Sequence, residues 1–201
     1  MRVFVAVPIG EEARAAVDDL LRRAAADPRA GAARRLRWVV GENLHLTLRF
    51  LGATDAARVP DVAAAAAAAA GRLAPFEARL AGAGGFPAGE RPRVVWLGIS
   101  DGAAGLAALA ASLEDELAAR GWERDGRPFR AHLTLARADG VPGAGRVVEA
   151  LADAAVGLDA TWTVDRLVVF ESRLGRGPAR YHPLAEARLA GARLPDPPPV
   201  G

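Results

Sequence analysis

Two short matching segments contain the residues of this chain that could carry out acid–base chemistry. The chain has three histidines, and two of them, His45 and His132, each begin the tetrapeptide HLTL. Alternate side chains of a β-strand lie on opposite faces. Each histidine therefore shares a face with the threonine two positions later, Thr47 or Thr134, and Arg49 continues that face of the first strand. The repeat predicts two strands that bury leucines on one face and present histidine and threonine on the other.

Two imidazoles across a small polar cleft suit a displacement reaction at phosphorus. An imidazole has a pKa near about 6.5, so at neutral pH one ring can accept a proton while another donates one. Such paired proton transfers are typically worth about 10² to 10⁴-fold each. Threonine hydroxyls can donate hydrogen bonds to oxygens that gain charge, and arginine can balance a phosphate. This set of groups predicts in-line displacement at phosphorus, with no metal and no cofactor.

Two other interpretations of these histidines are a structural role and a zinc site. A single histidine among leucines is most often structural, but two histidines in matched contexts favour a shared site. A zinc site usually needs three or four protein ligands, and the chain has no cysteine and no HExxH segment to complete one. The third histidine, His182 in RYHPL, repeats no motif and is predicted to be a surface or structural residue.

The composition is that of a globular protein. Of 201 residues, 51% are hydrophobic and 25% are charged, which suits one unit with a buried core. No apolar run approaches the roughly 18 residues of a membrane-spanning helix, and without cysteine there is no disulfide framework. All 26 basic residues are arginine, and the net charge of +2 is compatible with nucleic acid without requiring it. We expect a cytoplasmic protein that does not bind membranes.

Strand and helix patterns alternate along the chain. The predicted strands cover residues 2–8, 35–40, 44–51, 75–83, 92–99, 132–137, 161–172 (two strands) and 179–187. The predicted helices cover residues 10–26, 55–73, 101–120 and 144–154. Because strand pairs are interspersed with helices, this order predicts an antiparallel α+β fold with the HLTL strands in corresponding places of two halves. Residues 1–190 would form one bilobal domain, and the proline-rich tail, 191–201, is predicted to be disordered.

The residues around both copies resemble a known family. The segments WVVGENLHLTLRFLG, RPRVVWLGI, HLTLAR and FESRLGRGPARYHPL are similar to the 2H phosphoesterase superfamily. Within it they resemble the bacterial and archaeal RNA 2′,3′-cyclic phosphodiesterases, formerly called 2′-5′ RNA ligases (the LigT branch). The resemblance extends from Met1 to Ala187. It implies a bilobal α+β fold, in which two antiparallel sheets related by a pseudo-twofold axis surround a central groove and helices cover the outer faces.

The resemblance also implies an activity and roles for the motif residues. The reaction would be hydrolysis of an RNA 2′,3′-cyclic phosphate to a 2′-phosphomonoester, without metal or cofactor. His45 would be the proton donor to the departing 3′ oxygen, and His132 the proton acceptor that activates water. Thr47 and Thr134 would hold the phosphate oxygens. From the residues alone, either histidine could be the acid.

Three further residues are candidates for substrate binding. Phe50 could stack on the terminal base, but strand parity places it with the leucines, so a core role is equally consistent. Arg137 matches the arginine that closes the family's second motif. Its parity is opposite to that of His132, so we expect it past the end of the strand. Arg130 has the parity of His132 and is the alternative phosphate ligand.

Other functions fit the same groove. They are 2′-5′ ligation of RNA, hydrolysis of small cyclic nucleotides by a sibling enzyme, and RNA-end binding without turnover. Two intact histidines argue against a pure binding module, which would have no need of two titratable groups. The expected partner is RNA with a 2′,3′-cyclic phosphate end, tRNA fragments included, and the protein is expected to be a monomer.

Overall fold

Nine strands and four α-helices make up the part of the chain that the computed structural model describes, which is residues 1–39, 41–173 and 179–191. The strands are β1 (Arg2–Pro8), β2 (Arg37–Trp38), β3 (His45–Ala53), β4 (Phe76–Phe86), β5 (Val94–Asp101), β6 (Leu133–Arg137), β7 (Thr161–Val164), β8 (Arg166–Arg173) and β9 (Arg180–Arg188). The helices are α1 (Glu11–Ala25), α2 (Val59–Ala70), α3 (Ala103–Ala119) and α4 (Ala144–Ala154). From residue 192 onward, the tail predicted to be disordered lies outside the described residues.

The strands form two sheets, and every described pairing is antiparallel. Sheet A has the order β3-β1-β8-β9, and sheet B has the order β2-β6-β5-β4-β7. Helices α2 and α3 pack against sheet A, whereas α1 and α4 pack against sheet B. The two HLTL segments lie on β3 and at the start of β6, and these two strands contact each other. The predicted bilobal α+β fold, with helices on the outer faces, is confirmed.

The leucines of both motifs anchor the site to the core. Leu46 and Leu133 are fully buried in one apolar cluster. The apolar stripe of α3, which consists of Leu106, Leu109, Leu113 and Leu117, is buried in the same cluster. Burying a leucine stabilises a fold by about 1.5–3 kcal/mol. Each motif strand is therefore held by its leucines, which leaves the other face free for polar side chains.

A β-bulge in β3 changes which side chains share a face. The register of β3 against β1 slips between Thr47 and Arg49, which leaves Leu48 as an extra residue. A bulge of this kind shifts the alternation beyond it by one position. Phe50 therefore returns to the face of Thr47, and Arg49 turns to the opposite face, toward α3. Simple alternation predicted the reverse for both residues, and that prediction is wrong because it assumed an unbroken ladder.

A second bulge acts on Arg137 in the same way. The register of β6 against β5 slips between Thr134 and Ala136, which leaves Leu135 as an extra residue. Leu135 and Ala136 are accordingly both buried, although they are neighbours. Arg137 is the last residue of β6, and the bulge brings it to the face of Thr134. The expectation that Arg137 lies past the end of the strand is wrong.

Two predicted elements are shorter than their sequence patterns indicate. Residues 28–35 form a 3₁₀ segment that begins at Asp27, whose carboxylate accepts a hydrogen bond from the Arg29 backbone N–H at 2.8 Å. This segment takes up Arg35 of the predicted strand at 35–40, and the described strand covers Arg37–Trp38, while residue 40 lies outside the described residues. Helix α2 begins at Val59 because a 3₁₀ turn, capped by Asp55, takes up the residues before it. Among the described residues, no helix is long and apolar enough to cross a membrane.

Candidate active site

A groove of about 770 Å³ runs between the motif strands and over α3. It is lined by residues that include Thr47, Phe50, Phe86, Arg130 and His132. These side chains come from β3, β4 and the connection that leads into β6. The groove thus unites candidates from both HLTL segments, which the sequence places far apart.

The two imidazoles are held in the same way. His45 Nδ1 lies 2.6 Å from the carbonyl oxygen of Asn43, and His132 Nδ1 lies 2.7 Å from that of Arg130. A carbonyl oxygen only accepts, so Nδ1 must donate the proton in both contacts. In the neutral ring this places the lone pair on Nε2. Both histidines therefore present Nε2 for proton transfer.

Thr47 is a direct partner of the first imidazole. Its hydroxyl oxygen lies 3.0 Å from His45 Nε2. The hydroxyl donates to Nε2 when the ring is neutral and accepts from it when the ring is protonated. Asn43, whose carbonyl holds the other ring nitrogen, donates from its side-chain amide to the Ala179 carbonyl at 2.9 Å. This bond ties the approach to β3 to the residue that precedes β9.

Aromatic rings surround His45. The ring centroid of Phe4 lies 4.9 Å from that of His45, Tyr181 meets His45 edge-on at 5.2 Å, and Phe170 lies 6.3 Å away. Burial among these rings lowers the pKa of His45, and the nearby charge of His132 lowers it further, against the raising effect of the Asn43 carbonyl. His45 is therefore neutral at pH 7 in the free protein. Thr47, which contacts His45 Nε2, lines the groove together with His132, so the two histidines lie at one site.

A smaller aromatic group supports His132. Phe86 meets its ring edge-on, with 5.2 Å between centroids, and Trp96 lies 6.4 Å away. The Arg130 guanidinium carbon lies 5.9 Å from the centroid of Phe86. Thr134, which is half-buried, pairs with Trp96 in the register of β6 and β5. Since paired residues of antiparallel strands project from the same face, Thr134 lies on the face that carries Trp96.

Gly84 allows Trp96 to take this position. A Cβ atom added to Gly84 would lie 2.3 Å from the Trp96 ring. We expect Gly84→Ala to displace Trp96, to lower the free energy of unfolding by about 1–3 kcal/mol, and to slow turnover because His132 loses its support. Chemical denaturation and initial rates measure both effects. Gly31→Ala, where nothing lies within 4 Å of the added Cβ, is the control. Wild-type stability and rate in Gly84→Ala would refute this role.

Arg137 and Arg130 are the candidates for balancing phosphate charge. Within residues 1–39, 41–173 and 179–191, neither guanidinium has a carboxylate within 4.0 Å. Arg137 is exposed at the end of β6. Burial raises the pKa of Tyr181, and the charge of Arg137 partly offsets that effect.

The structure places the remaining candidates as follows. Phe50 is 43% exposed and lines the groove, with the Arg2 guanidinium carbon 5.3 Å from its ring centroid. This position suits base stacking rather than the core role that parity allowed. His182 lies on β9 and pairs with Glu171 of β8. It is one position from Tyr181 and so on the opposite face of β9. In the described part of the chain, no three His, Asp or Glu side chains cluster to hold a metal ion.

Several supporting residues were missed by sequence reasoning. They are Phe4, Asn43, Phe86, Trp96 and Tyr181. Their roles depend on pairing between distant strands or on backbone groups, so no local pattern marks them. The one available signal was Asn43 in ENLHLTL, two positions before His45, which matches the spacing of Arg130 and His132.

A fold of two antiparallel sheets, each of which brings one HxT motif to a shared groove, defines the class of protein. Residues 10–176 match the family model of the 2′-5′ RNA ligase superfamily. The chain belongs to this superfamily.

Its relatives include several RNA 2′,3′-cyclic phosphodiesterases. The protein of that name from Escherichia coli is 33% identical over 185 residues, which cover 91% of this chain and 93% of the relative. The one from Geobacillus stearothermophilus is 31% identical over 191 residues. That match covers 94% of this chain and 57% of the relative, so the chain spans little more than half of that protein.

Solved structures share the fold. A protein from Thermus thermophilus superposes with a TM-score of 0.72 at 30% identity, covering 96% of this chain and all of its own. Escherichia coli LigT in complex with 3′-AMP gives a TM-score of 0.68 at 30% identity, covering 94% of this chain and 97% of its own. These similarities extend over both sheets of the present fold.

Proposed function

We propose that this chain hydrolyses RNA 2′,3′-cyclic phosphate ends to 2′-phosphomonoesters in the groove between β3 and β6. One observation carries the proposal: His45 and His132 are tethered identically through Nδ1 and present Nε2 at one groove, which His132 and the Thr47 partner of His45 both line. Acid–base catalysis of displacement at phosphorus needs two such groups around one phosphate. Relatives named RNA 2′,3′-cyclic phosphodiesterase support the choice of substrate.

The proposed reaction needs one proton transfer at each histidine. His132 Nε2 accepts a proton from water as the water oxygen forms a bond to phosphorus. The bond between phosphorus and the 3′ oxygen breaks, and His45, protonated at Nε2, donates its proton to that oxygen. The 2′ oxygen keeps the phosphate, and proton exchange with solvent restores both rings.

Other groups of the groove stabilise the phosphate and hold the RNA end. Thr47 and Thr134 donate hydrogen bonds to the nonbridging oxygens, whose charge grows in the transition state. Arg137 balances that charge. Arg130, at the opposite end of the second motif, is the alternative phosphate ligand. Phe50 stacks on the terminal base.

This division of roles predicts a pKa change at His45. The ring is neutral at pH 7 in the free protein because its pKa is lowered, so a donor role requires bound phosphate to raise that pKa. A nearby anion favours imidazolium, which gives the required sign. We expect saturating inorganic phosphate to raise the pKa of His45 in an NMR titration, with His182 as the internal reference. An unchanged or lowered value would assign His45 as the acceptor and His132 as the donor.

The function is tested with an RNA that ends in a 2′,3′-cyclic phosphate, incubated with the protein in EDTA. We expect a product with a 2′-phosphate and a free 3′-hydroxyl. Absence of turnover by the wild-type protein would refute the function, and a requirement for added metal would refute the mechanism. A 3′-phosphate product would mean that the other P–O bond breaks.

Ligation is a second candidate because the matching family model describes 2′-5′ RNA ligases. In ligation, the 5′-hydroxyl of a second RNA would attack phosphorus in place of water. His132 would accept the proton of that hydroxyl, and His45 would donate its proton to the 3′ oxygen. Adding a 5′-hydroxyl RNA to the assay distinguishes the two reactions, since ligation yields a longer, 2′-5′-linked product. Nucleoside 2′,3′-cyclic phosphates, assayed separately, test the preference for RNA over small nucleotides.

A further inference from the structure

Arg49 lines the groove, but its guanidinium faces protein groups. Its side chain is 12% exposed. Nε lies 3.3 Å from a carboxylate oxygen of Glu114, and Nη1 lies 3.1 Å from one of Asp125. Nη2 donates a hydrogen bond to the Glu123 carbonyl. The three nitrogens thus face oxygens of α3 and of the chain that follows it, unlike those of Arg130 and Arg137, although the buried Nε makes its contact without a hydrogen bond.

The segment that Arg49 holds is the connection between α3 and β6, residues 120–132. It crosses from the helices over sheet A to a strand of sheet B, and between Gly121 and His132 it contains no helix or strand. It ends at His132, whose tethering carbonyl, that of Arg130, belongs to it. The placement of the second imidazole therefore depends on how this connection is held.

Apart from Arg58, which donates to the Arg120 carbonyl at 2.8 Å and lies over the Trp122 ring, the other hydrogen bonds and ion pairs of the connection are local. The Asp125 backbone N–H donates to Glu114 at 2.8 Å, and Arg124 pairs with Asp115 at 2.8 Å, so both tie the connection to the preceding helix α3. Asp125 also pairs with Arg127 inside the connection. Arg49, in contrast, belongs to β3, two residues after Thr47. It joins the connection to the strand of the first motif.

The Asp125 carboxylate of this cluster stays charged at any working pH. The pKa of Asp125 is lowered to about 2, chiefly by its hydrogen bonds with Arg127 and also by the charge of Arg49. Arg49 pairs with both Glu114 and Asp125. Removing it would leave these two carboxylates close together without the positive charge that they share. The Leu48 bulge is what points Arg49 toward them.

We propose that Arg49 is a positioning residue that sets the placement of His132 relative to His45 and Thr47 by tying residues 120–132 to β3. The proposal rests on the proposed function. Proton transfer in the groove requires both imidazoles around one phosphate, and a misplacement of about 1 Å can cost about 10²-fold in rate. We expect this loss in kcat, because the Arg49 side chain is only 12% exposed and its contacts are with Glu114, Asp125 and the Glu123 carbonyl.

The test compares Arg49→Ala with Arg124→Ala. Both variants remove an arginine that pairs with an acid of the same region, but Arg124 contacts α3 rather than β3. We expect Arg49→Ala to lower kcat by about 10 to 10²-fold with little change in KM, to speed amide hydrogen exchange in residues 121–132, and to shift the imidazole resonances of His132. Arg124→Ala should keep kcat within about twofold. Arg49→Lys, which retains one charged contact, should recover part of the loss.

The outcomes separate this role from the alternatives. A wild-type kcat in Arg49→Ala would overturn the proposal, and so would a raised KM at unchanged kcat, which would make Arg49 a substrate ligand. If Arg49→Ala fails to fold, Arg49→Lys and Asp125→Asn provide the same comparison. If the wild-type protein itself does not turn over the RNA, the proposed function fails. The positioning role would still be decided by hydrogen exchange and by the His132 resonances.

Discussion

Replacing either groove histidine with asparagine is expected to lower kcat by at least about 10²-fold, because each imidazole moves one proton in the proposed reaction. Asparagine retains a side-chain N–H that can donate to the carbonyl of Asn43 or Arg130, so the local tether can survive. It cannot exchange a proton near neutral pH. The variants His45→Asn and His132→Asn should therefore fold normally and fail in the chemical step.

The variant that lacks both histidines tests whether their effects on the rate are additive. Groups that act as one unit have strongly non-additive effects, so His45→Asn combined with His132→Asn should be about as slow as the slower single variant. Single-turnover rates on RNA with a cyclic phosphate end, measured in EDTA, give these values, and thermal unfolding checks the fold. His182→Asn is the matched control, since His182 lies on the face of β9 opposite to Tyr181. If either groove variant keeps a near-normal rate, that histidine moves no proton.

The second large effect is expected at the threonines. Thr→Val keeps the side-chain shape and removes the hydroxyl, and loss of one donor to a transition-state oxyanion typically costs about 10² to 10³-fold in kcat. We expect losses of about 10²-fold for Thr47→Val and for Thr134→Val. Thr47→Val also removes the 3.0 Å contact to His45 Nε2, so its pH–rate profile should change as well.

A control and a contradicting result are available for the threonines. Thr163 is exposed on β7, away from both motif strands, and Thr163→Val should leave kcat unchanged. If Thr47→Val and Thr134→Val raise KM at constant kcat, the hydroxyls bind the ground state and the transition state equally. If neither constant changes, the hydroxyls do not touch the phosphate.

Local pattern was enough to predict most of the helices and strands and to select the histidines and threonines of the two HLTL segments as candidate site residues. Alternation in HLTL correctly separated Leu46 and Leu133, which are buried, from the histidines. The matched tethers of His45 and His132 also follow from local sequence, because each Nδ1 reaches the carbonyl only two residues earlier. Identical short segments reproduced the same arrangement in two different sheets.

Features set by pairing between distant strands could not be predicted. The bulges at Leu48 and Leu135 depend on the register with β1 and β5, and they reverse the parity of Arg49, Phe50 and Arg137. A one-position slip moves every later side chain to the other face. Parity arguments were therefore reliable up to each bulge and wrong beyond it.

The environment of His45 is also a product of tertiary structure. Phe4 comes from β1, Phe170 from β8 and Tyr181 from β9, and these rings together lower its pKa. The sequence assigned this histidine the donor role through family resemblance alone. The lowered pKa adds a requirement. Because His45 is neutral in the free protein, it can donate a proton only if bound substrate raises its pKa.

The central claim is that two histidines, one from each sheet, act together on a single cyclic phosphate. Phosphorus-31 NMR of an RNA with a 2′,3′-cyclic phosphate end tests it most directly, with wild-type protein, His45→Asn and His132→Asn compared in EDTA. We predict that the wild-type protein replaces the cyclic phosphate signal with that of a 2′-phosphomonoester, while both variants leave it essentially unchanged over the same time. A cyclic phosphate signal that persists with the wild-type protein, or that disappears equally fast with either variant, would contradict the claim.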